Sequence, residues 1–453
     1  MIFRRAKDEP TVEEKLPEEG SPNRLLVVIP TGASGAEALL ANLANQHPDL
    51  IIQSAPSSAV TAQGLVGVQG PQSFSGVKAC LAVFQDSRSL DLLLAHIGTA
   101  RAARTDGFPI LVIATELNRL TMLGGWLHEH AQQGDLQGIR LLVAASIGDI
   151  AAQLPPLLEP VNEPNVIKMP VSTEVDCKDY KYFYTISPQF RRIVHMMRDL
   201  AENNIKRVYI LGGPGVGKTS LAYYYWLCRG KGQFVSVNLN AESTGNKESM
   251  KSLLCGHVTG AYPGAASREG VLSFAGEGVA FLDESHGVTG VVMQVLMEVL
   301  DSGQYLPFGA TKKRALEAAV IFASNRSWEA LRDMMHLDEH ARLGATIISL
   351  TDLSVREEDM IAVLATTLAR FAKQCTTWKA PIGISSDAWA ALRACAWRGN
   401  TRSFIRVIEA SAIAHASAAS SSDVIPAHYI QEALTLWEPA EHHSMEMYTS
   451  FKE

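Results

Sequence analysis

The sequence predicts an α/β protein with two α/β domains in series, the second followed by a helical segment. Three observations predict this. Short apolar runs alternate with helical patterns along the first third of the chain, and again in its middle third. A glycine-rich motif, Gly212 to Thr219, stands between a strand pattern and a helix pattern. Farther on, an apolar run ends in Asp283 and Glu284. The 453 residues are enough for two or three domains, each with its own core.

Composition excludes several classes of protein. No run of about 18 apolar residues could span a bilayer. Residues 1–22 carry charges of both signs and no apolar segment, so we expect a disordered tail rather than a signal peptide. The six cysteines form no CxxC pair, so they do not indicate a metal site. The net charge of −7 does not indicate a protein whose surface as a whole binds nucleic acid. We therefore expect a cytoplasmic protein without a membrane partner.

The first domain is predicted at 23–153. Its apolar runs are typical of buried parallel strands, and helical patterns at Ala36–Asn45 and Leu90–Arg101 lie between some of them. The predicted strands are Arg24–Ile29, Asp49–Gln53, Lys78–Phe84, Pro109–Ala114 and Ile139–Ala144. We expect a small regulatory or partner-binding domain, followed by a proline-rich linker at 154–186.

A P-loop follows the predicted strand Val208–Leu211 and precedes the predicted helix Lys218–Leu227. Its glycines let backbone amides and the helix N-terminus face an anion, which predicts binding of ATP or GTP. Lys218 would reach the β- and γ-phosphates, and the Thr219 hydroxyl would bind Mg²⁺. The predicted nucleotide-binding residues here are Gly212, Gly213, Pro214, Gly215, Val216, Gly217, Lys218, Thr219 and Ser220.

The carboxylate pair predicts hydrolysis. Asp283 ends the apolar run Val279–Leu282 and would orient Mg²⁺ through water, while Glu284 would polarise the attacking water. The alternative is a strand that ends in a solvated acidic turn. The apolar run favours the first interpretation, because a buried central strand requires such a run.

From Ser187 to about Ile413, close to half of the chain, the sequence resembles the AAA+ domain of the sigma-54 activators, the bacterial enhancer-binding proteins. Several motifs follow the order of that family, and motifs that agree are more specific together than any one alone. Besides the P-loop and the carboxylate strand, they are Ser236–Asn238, Gly256-His257, Gly260–Ala265, Phe322–Arg326 and Trp397–Arg402. The resemblance implies an AAA+ core at 187–355, a helical lid at 356–437 and a polar tail at 438–453.

The same resemblance implies roles for four more residues. Asn238 would hold Glu284 in check, and Asn325 would sense the γ-phosphate, although an asparagine after a strand is usually a turn residue. Arg402 would sense nucleotide from the lid, rather than form a lid salt bridge. The family forms rings, usually hexamers, in which Arg342 would complete a neighbouring subunit's site. The alternative for Arg342 is a surface charge. Arg342 matches the second of two arginines in the family's motif, and His336 stands where the first would be.

The segment Gly260-Ala261-Tyr262-Pro263-Gly264-Ala265 reads GAYPGA where the family has GAFTGA. The family's loop engages sigma-54. Tyr262 keeps an aromatic ring suited to contacting a partner, whereas Pro263 loses the threonine hydroxyl and fixes φ near −65°. The alternative is that Tyr262 only packs against the base of the loop, but the flanking glycines favour a mobile loop.

The resemblance implies an ATP-hydrolysing ring that remodels sigma-54 RNA polymerase holoenzyme. Residues 420–453 contain one helical pattern, Pro426–Trp437, so we expect no DNA-binding helix pair. The expected absence of a DNA-binding helix pair, together with Pro263 and His336, keeps a second hypothesis open. In that hypothesis the chain is a remodelling motor that acts on another protein client. A third is a scaffold that binds ATP without hydrolysing it, against which the Asp283-Glu284 pair argues.

Overall fold

The computed structural model describes residues 23–74, 76–102, 110–133, 136–159, 167–170, 182–242, 247–287, 290–334, 346–418 and 422–438. Two five-stranded sheets with flanking helices form its two α/β units, and the predicted fold class is confirmed. None of the helices within these ranges is long and apolar enough to cross a membrane. Arg342 and His336 lie outside the described residues.

The first unit is a parallel sheet in the order β2-β1-β5-β6-β7. Its strands are β1 (Arg24–Ile29), β2 (Ile51–Pro56), the short pair β3 (Val60–Thr61) and β4 (Gly64–Leu65), β5 (Val77–Val83), β6 (Ile110–Glu116) and β7 (Ile139–Ala144). Its helices are α1 (Ala36–Gln46), α2 (Ser87–Ala102), α3 (Leu120–Gln133) and α4 (Ile150–Gln153). The unbroken apolar runs form these strands because both faces of the sheet are covered.

A two-stranded antiparallel sheet lies in the segment expected to be a linker. It consists of β8 (Ile167–Pro170) and β9 (Tyr182–Thr185). Tyr184 and Ile186, at the end of that segment, are fully buried in the main hydrophobic core. The end of the segment therefore has packed structure of its own, which its polar composition did not predict.

The second unit begins with α5 (Pro188–Glu202) and has a parallel sheet in the order β11-β12-β15-β10-β16. Its strands are β10 (Arg207–Leu211), β11 (Phe234–Asn238), β12 (Val279–Asp283), the short pair β13 (Gln304–Tyr305) and β14 (Arg314–Ala315), β15 (Ala319–Ser324) and β16 (Ile347–Ser349). Its other helices are α6 (Lys218–Arg229), α7 (Leu239–Glu242), α8 (Lys247–Cys255), α9 (Val271–Ala275), α10 (Gly290–Ser302) and α11 (Trp328–Met334). The carboxyl ends of β10, β12 and β15 meet at one edge of the sheet, so the P-loop, Asp283 and Asn325 converge there.

The remaining helices form the lid. They are α12 (Glu357–Gln374), α13 (Ser386–Ala394), α14 (Asn400–Ser417) and α15 (Ala427–Trp437), with the short parallel strands β17 (Gly383–Ile384) and β18 (Val424–Ile425). Every residue of α12 from Glu358 to Ala369 is buried. A helix buried on all sides needs partners on all sides, and α12 packs against α3, β7, β9 and α14. One continuous hydrophobic core therefore joins the first unit, the nucleotide-binding core and the lid.

Two buried carboxylates fix the start of α12. Glu358 forms an ion pair with Arg140 of β7 at 2.9 Å and accepts the Leu141 amide at 3.1 Å. Asp359 accepts the amides of Ile186 and Ser187 at 2.6 and 2.9 Å. Burial raises the pKa of Glu358, and the Arg140 guanidinium opposes that rise.

The close approach of α3 to α12 depends on Gly124. A Cβ atom at this position would lie 1.9 Å from the backbone oxygen of Ala365. At the neighbouring Gly125, no atom beyond the local helix backbone would lie within 4 Å of a Cβ. Only one of two adjacent helical glycines is therefore required by packing.

These two glycines provide a matched test of the packing between the units. Gly124→Ala should lower the free energy of unfolding by about 1–3 kcal/mol, because the backbone of α12 must move to admit the methyl group. Gly125→Ala should raise it by about 0.5–1 kcal/mol, because alanine is favoured over glycine within a helix. Urea unfolding of both variants measures the two shifts. Equal effects of the two substitutions would show that α3 and α12 do not pack as described.

Candidate functional site

A cavity of about 390 Å³ opens between the P-loop and the lid. Its size suits a small-molecule ligand such as a nucleotide. From the second unit it is lined by Pro214, Gly215, Gly217, Lys218, Thr219, Ser220, Asp283, Glu284 and Asn325. From the lid it is lined by Arg370, Thr401, Arg402, Ile405, Arg406 and Glu409. The structure therefore brings together most of the residues predicted for nucleotide binding and hydrolysis.

The P-loop presents Lys218 to this cavity at the first residue of α6. Its ammonium donates to the backbone oxygens of Gly212 and Gly213 at 2.8 and 3.0 Å. Burial lowers the pKa of Lys218, the carboxylates of Asp283 and Glu284 oppose the shift, and Arg402 adds to it. A bound polyphosphate would offset this loss of solvation, because its oxygens can accept from the ammonium.

Gly215 allows the lid to touch the P-loop. It adopts φ +70°, and a Cβ there would lie 2.1 Å from the backbone oxygen of Gly399. Only glycine fits such a left-handed conformation at so close an approach. The start of α14 is consequently seated directly on the phosphate-binding backbone.

The carboxylate pair stands at the end of β12. The Asp283 carboxylate accepts the Glu284 amide at 2.9 Å, and Glu284 adopts φ +51°. A non-glycine residue in the left-handed region is uncommon and is often found at functional sites. Asn240 of α7 donates to the Glu284 carboxylate at 3.4 Å, while Asn238 accepts the Asn240 amide at 3.0 Å. An asparagine two residues beyond Asn238 therefore also stands at the Glu284 carboxylate.

Buried polar contacts support this strand end from behind. The Tyr209 hydroxyl lies 2.5 Å from Ser285 Oγ, and Ser285 donates to the Ala323 oxygen at 2.9 Å. Burial raises the pKa of Tyr209 to about 12, so its hydroxyl stays protonated. These contacts tie β10, β15 and the residue after Glu284 together.

Four lid residues that line the cavity lie on one face of α14: Arg402, Ile405, Arg406 and Glu409. Their spacing of i, i+3, i+4 and i+7 is the periodicity of a helix face. The sequence motif indicated Arg402 alone, although this spacing would have predicted the other three. Arg370 comes from the last turns of α12 and pairs with Glu409, and no local sequence signal marks it.

Asn400 connects the lid, the P-loop and the segment between them. Its side chain accepts the Leu353 amide at 2.8 Å and donates to the Pro214 oxygen at 3.2 Å and to the Asp352 carboxylate at 3.1 Å. Asn400 is almost fully buried and adopts φ +49°. Asparagine tolerates this conformation better than most residues.

The GAYPGA segment forms a separate exposed loop. Among the residues that the structure describes, the cavity lining includes none from this loop. The loop closes through the Gly260 amide and the Ala265 oxygen at 3.0 Å. Tyr262 is 46% exposed, and its hydroxyl lies 3.4 Å from His257 Nε2. The tyrosine ring therefore sits at the surface, beside the loop base.

A second set of contacts holds this loop base. His257 Nδ1 lies 2.7 Å from Ser252 Oγ, and the His257 amide and oxygen pair with Arg268. The Val258 amide donates to the Phe308 oxygen at 3.1 Å. The loop is thus anchored to α8 and to the residues after β13, while Tyr262 and Pro263 remain accessible.

Comparison with known families agrees with this geometry. Residues 183–347 match the family model described as the sigma-54 interaction domain. This segment is a sigma-54 interaction domain. The resemblance inferred from the motifs is confirmed over this range, and the domain belongs to the AAA+ ATPases.

Similar proteins include bacterial regulators. The transcriptional regulatory protein GlrR of Escherichia coli K12 is 30% identical over 257 residues, which cover 55% of this chain and 55% of GlrR. The alginate biosynthesis transcriptional regulatory protein AlgB of Pseudomonas aeruginosa is 30% identical over 232 residues, half of each chain. This chain therefore aligns with only about half the length of each relative.

Among solved structures, NtrX from Brucella abortus in complex with ADP is similar over 94% of this chain and 88% of NtrX. The sequence identity is 17% and the TM-score is 0.48. The fold of the sigma-54 interaction domain here is established by its own sheet order rather than by this similarity.

Asn400 provides a test of the contact between the lid and this domain. Asn400→Ala should lower the free energy of unfolding by about 1–3 kcal/mol, because it leaves the buried Leu353 amide without its acceptor. Asn400→Gly removes the same bonds but relieves the positive φ, so it should be about 1 kcal/mol less destabilised than the alanine variant. Chemical unfolding of both variants measures this difference. Wild-type stability in Asn400→Ala would contradict the bridging role.

Proposed function

We propose that this chain hydrolyses ATP and uses the energy to remodel sigma-54 RNA polymerase holoenzyme. The observation that carries the proposal is the convergence of Lys218, Thr219, Asp283, Glu284 and Arg402 on one cavity. This is the set that phosphoryl transfer requires, with an ammonium for the phosphates, oxygen ligands for a metal ion and a carboxylate for water. The family match over 183–347 supports the choice of client.

Oxygen ligands for Mg²⁺ are available in the cavity. The Thr219 hydroxyl and the Asp283 carboxylate line it, and such hard donors suit this ion. Within the described residues, no group of three or more His, Cys, Asp or Glu side chains could hold a metal ion by itself. Mg²⁺ would therefore be held by these two residues together with phosphate oxygens, and it would neutralise charge on the nucleotide.

Each remaining residue takes a defined part in the proposed reaction. Glu284 would accept the proton of the water that attacks the γ-phosphate. Asn240, and Asn238 behind it, hold the carboxylate away from the water until ATP is engaged. Asn325 and Arg402 line the cavity from the core and from the lid, where they would contact the γ-phosphate.

The proposal includes a ring. Arg342 of one subunit would complete the site of the next and supply positive charge to the transition state, as in-trans arginines do. We propose the boundaries 187–355 for the core and 356–437 for the lid, with 23–153 as a regulatory or partner-binding domain. The 154–186 segment joins that domain to the core, and 1–22 and 438–453 flank the folded units. The loop 260–265 would contact the client.

Hydrolysis is tested by Glu284→Gln. We expect turnover to fall by at least about 10²-fold, because the amide cannot accept a proton, while ATP binding is retained. Steady-state phosphate release and titration with a fluorescent ATP analogue measure the two properties. Glu277→Gln is the matched control, since Glu277 pairs with Lys231 at the surface, outside the cavity. Unchanged turnover in Glu284→Gln would exclude the proposed water activation, and no turnover by wild type would favour a binding scaffold.

The client is tested by binding of sigma-54 in the presence of ADP and a metal-fluoride mimic of the transferring phosphate. We expect a stable complex that requires nucleotide, so Lys218→Ala should abolish it. Pro263→Thr restores the hydroxyl of the family's loop and should tighten the complex, because one more hydrogen bond is available. No wild-type complex alongside intact ATP hydrolysis would favour a motor with another client. Binding by Pro263→Thr alone would identify Pro263 as the residue that prevents recognition.

A further inference from the structure

The end of α15 holds the start of α14 through one side chain. Glu438, just after α15, accepts the backbone amides of Arg398 and Gly399 at 3.0 and 2.8 Å. It also accepts the Ser403 hydroxyl, one turn into α14. Glu438 is 40 positions from Arg398 in sequence, so this is a tertiary contact. None of the sequence motifs includes it.

This carboxylate satisfies backbone donors at the N-cap residue of α14, Gly399, and at Arg398 just before it. The first amides of a helix have no partner within the helix, and the N-terminus carries partial positive charge. No side chain at Gly399 caps α14, since this residue has none. Glu438 therefore provides charge-assisted hydrogen bonds at the N-terminus of α14, an 18-residue helix.

The N-terminus of α14 also covers one side of the nucleotide cavity. Gly399 is seated on Gly215, and Asn400 donates to the Pro214 oxygen. Arg402 follows within the first turn and lines the cavity. A shift at the start of α14 would therefore move Arg402 relative to the P-loop.

Trp437, the residue before Glu438, contacts Arg406, the next arginine on the cavity-facing side of α14. The Arg406 guanidinium lies 4.8 Å from the centre of the Trp437 ring, within the range of a cation–π contact. Arg406 also lines the cavity. We call Trp437 and Glu438 the C-terminal clamp. Trp437 contacts Arg406 itself, and Glu438 contacts Ser403, the residue next to Arg402.

We propose that the C-terminal clamp positions Arg402 and Arg406 over the phosphates of bound nucleotide, with Glu438 as the principal positioning residue. This inference rests on the nucleotide binding proposed above. The clamp would make the affinity for nucleotide depend on the end of α15, more than 200 residues beyond the P-loop.

The test is binding of a non-hydrolysable fluorescent ATP analogue with Mg²⁺, which does not require turnover. Glu438→Ala should weaken binding by about tenfold, because three charge-assisted bonds are lost and α14 is no longer fixed. Glu438→Gln keeps a hydrogen-bond acceptor without the charge, so it should bind the analogue about threefold more weakly than wild type. Glu432→Ala, an exposed glutamate on α15, is the control and should bind as wild type does.

A double-mutant cycle separates positioning from general destabilisation. Glu438→Ala should have a clearly smaller effect in an Arg402→Ala background than in wild type, because one of the two arginines that the clamp positions is absent. Full additivity of the two losses, or wild-type affinity in Glu438→Ala, would overturn the proposal. If wild type itself binds no nucleotide, the proposed function fails and the clamp's role fails with it. Normal wild-type binding with an unaffected Glu438→Ala variant refutes the clamp alone.

Discussion

Complete burial of α12 from Glu358 to Ala369 is the constraint on which the arrangement of the units depends. A helix with no solvent-exposed face between Glu358 and Ala369 cannot be stable unless α3, β7, β9 and α14 all surround it. The first unit therefore contributes part of the lid's core instead of lying on a flexible tether. The same helix carries Arg370 into the nucleotide cavity. Any displacement of the first unit relative to the lid must consequently disturb an element that reaches the nucleotide site.

Charges at the start of α12 make this docking specific. Burial raises the pKa of both Glu358 and Asp359, and it is the partners Arg140 and Arg356 that oppose the rise. Desolvation of such groups can cost as much as the pairing gains. Breaking one pair would leave a buried, unsatisfied charge, whereas the correct register satisfies both carboxylates together with the backbone amides of Leu141, Ile186 and Ser187. These contacts therefore select one docking geometry more than they add stability.

The sequence predicted the parts of the fold that depend on local pattern. Strands such as Arg24–Ile29 and Ile139–Ala144 were predicted at their observed bounds, because unbroken apolar runs are characteristic of buried parallel strands. The P-loop and Asp283-Glu284 were found because their chemistry requires fixed spacing in sequence. The sequence did not predict three other features: the burial of α12, the hydrogen bond from Asn240 to Glu284 and the bonds to Glu438. Each of these depends on contacts between residues that are distant in sequence.

The exposed loop and the cavity are separate, so any coupling between them must pass through elements that contact both. Asn240 contacts Glu284 at the cavity and belongs to α7, and α8 ends at the base of the loop. On that base, Ser252 of α8 contacts His257, and His257 lies beside Tyr262. Glu284 and Tyr262 therefore each have a contact route to one of two helices that follow each other in sequence, α7 for Glu284 and α8, through His257, for Tyr262. Glu284 occupies a left-handed conformation, which is costly for a residue with a side chain, and the Asp283 and Asn240 side chains that bond to it help to hold that conformation.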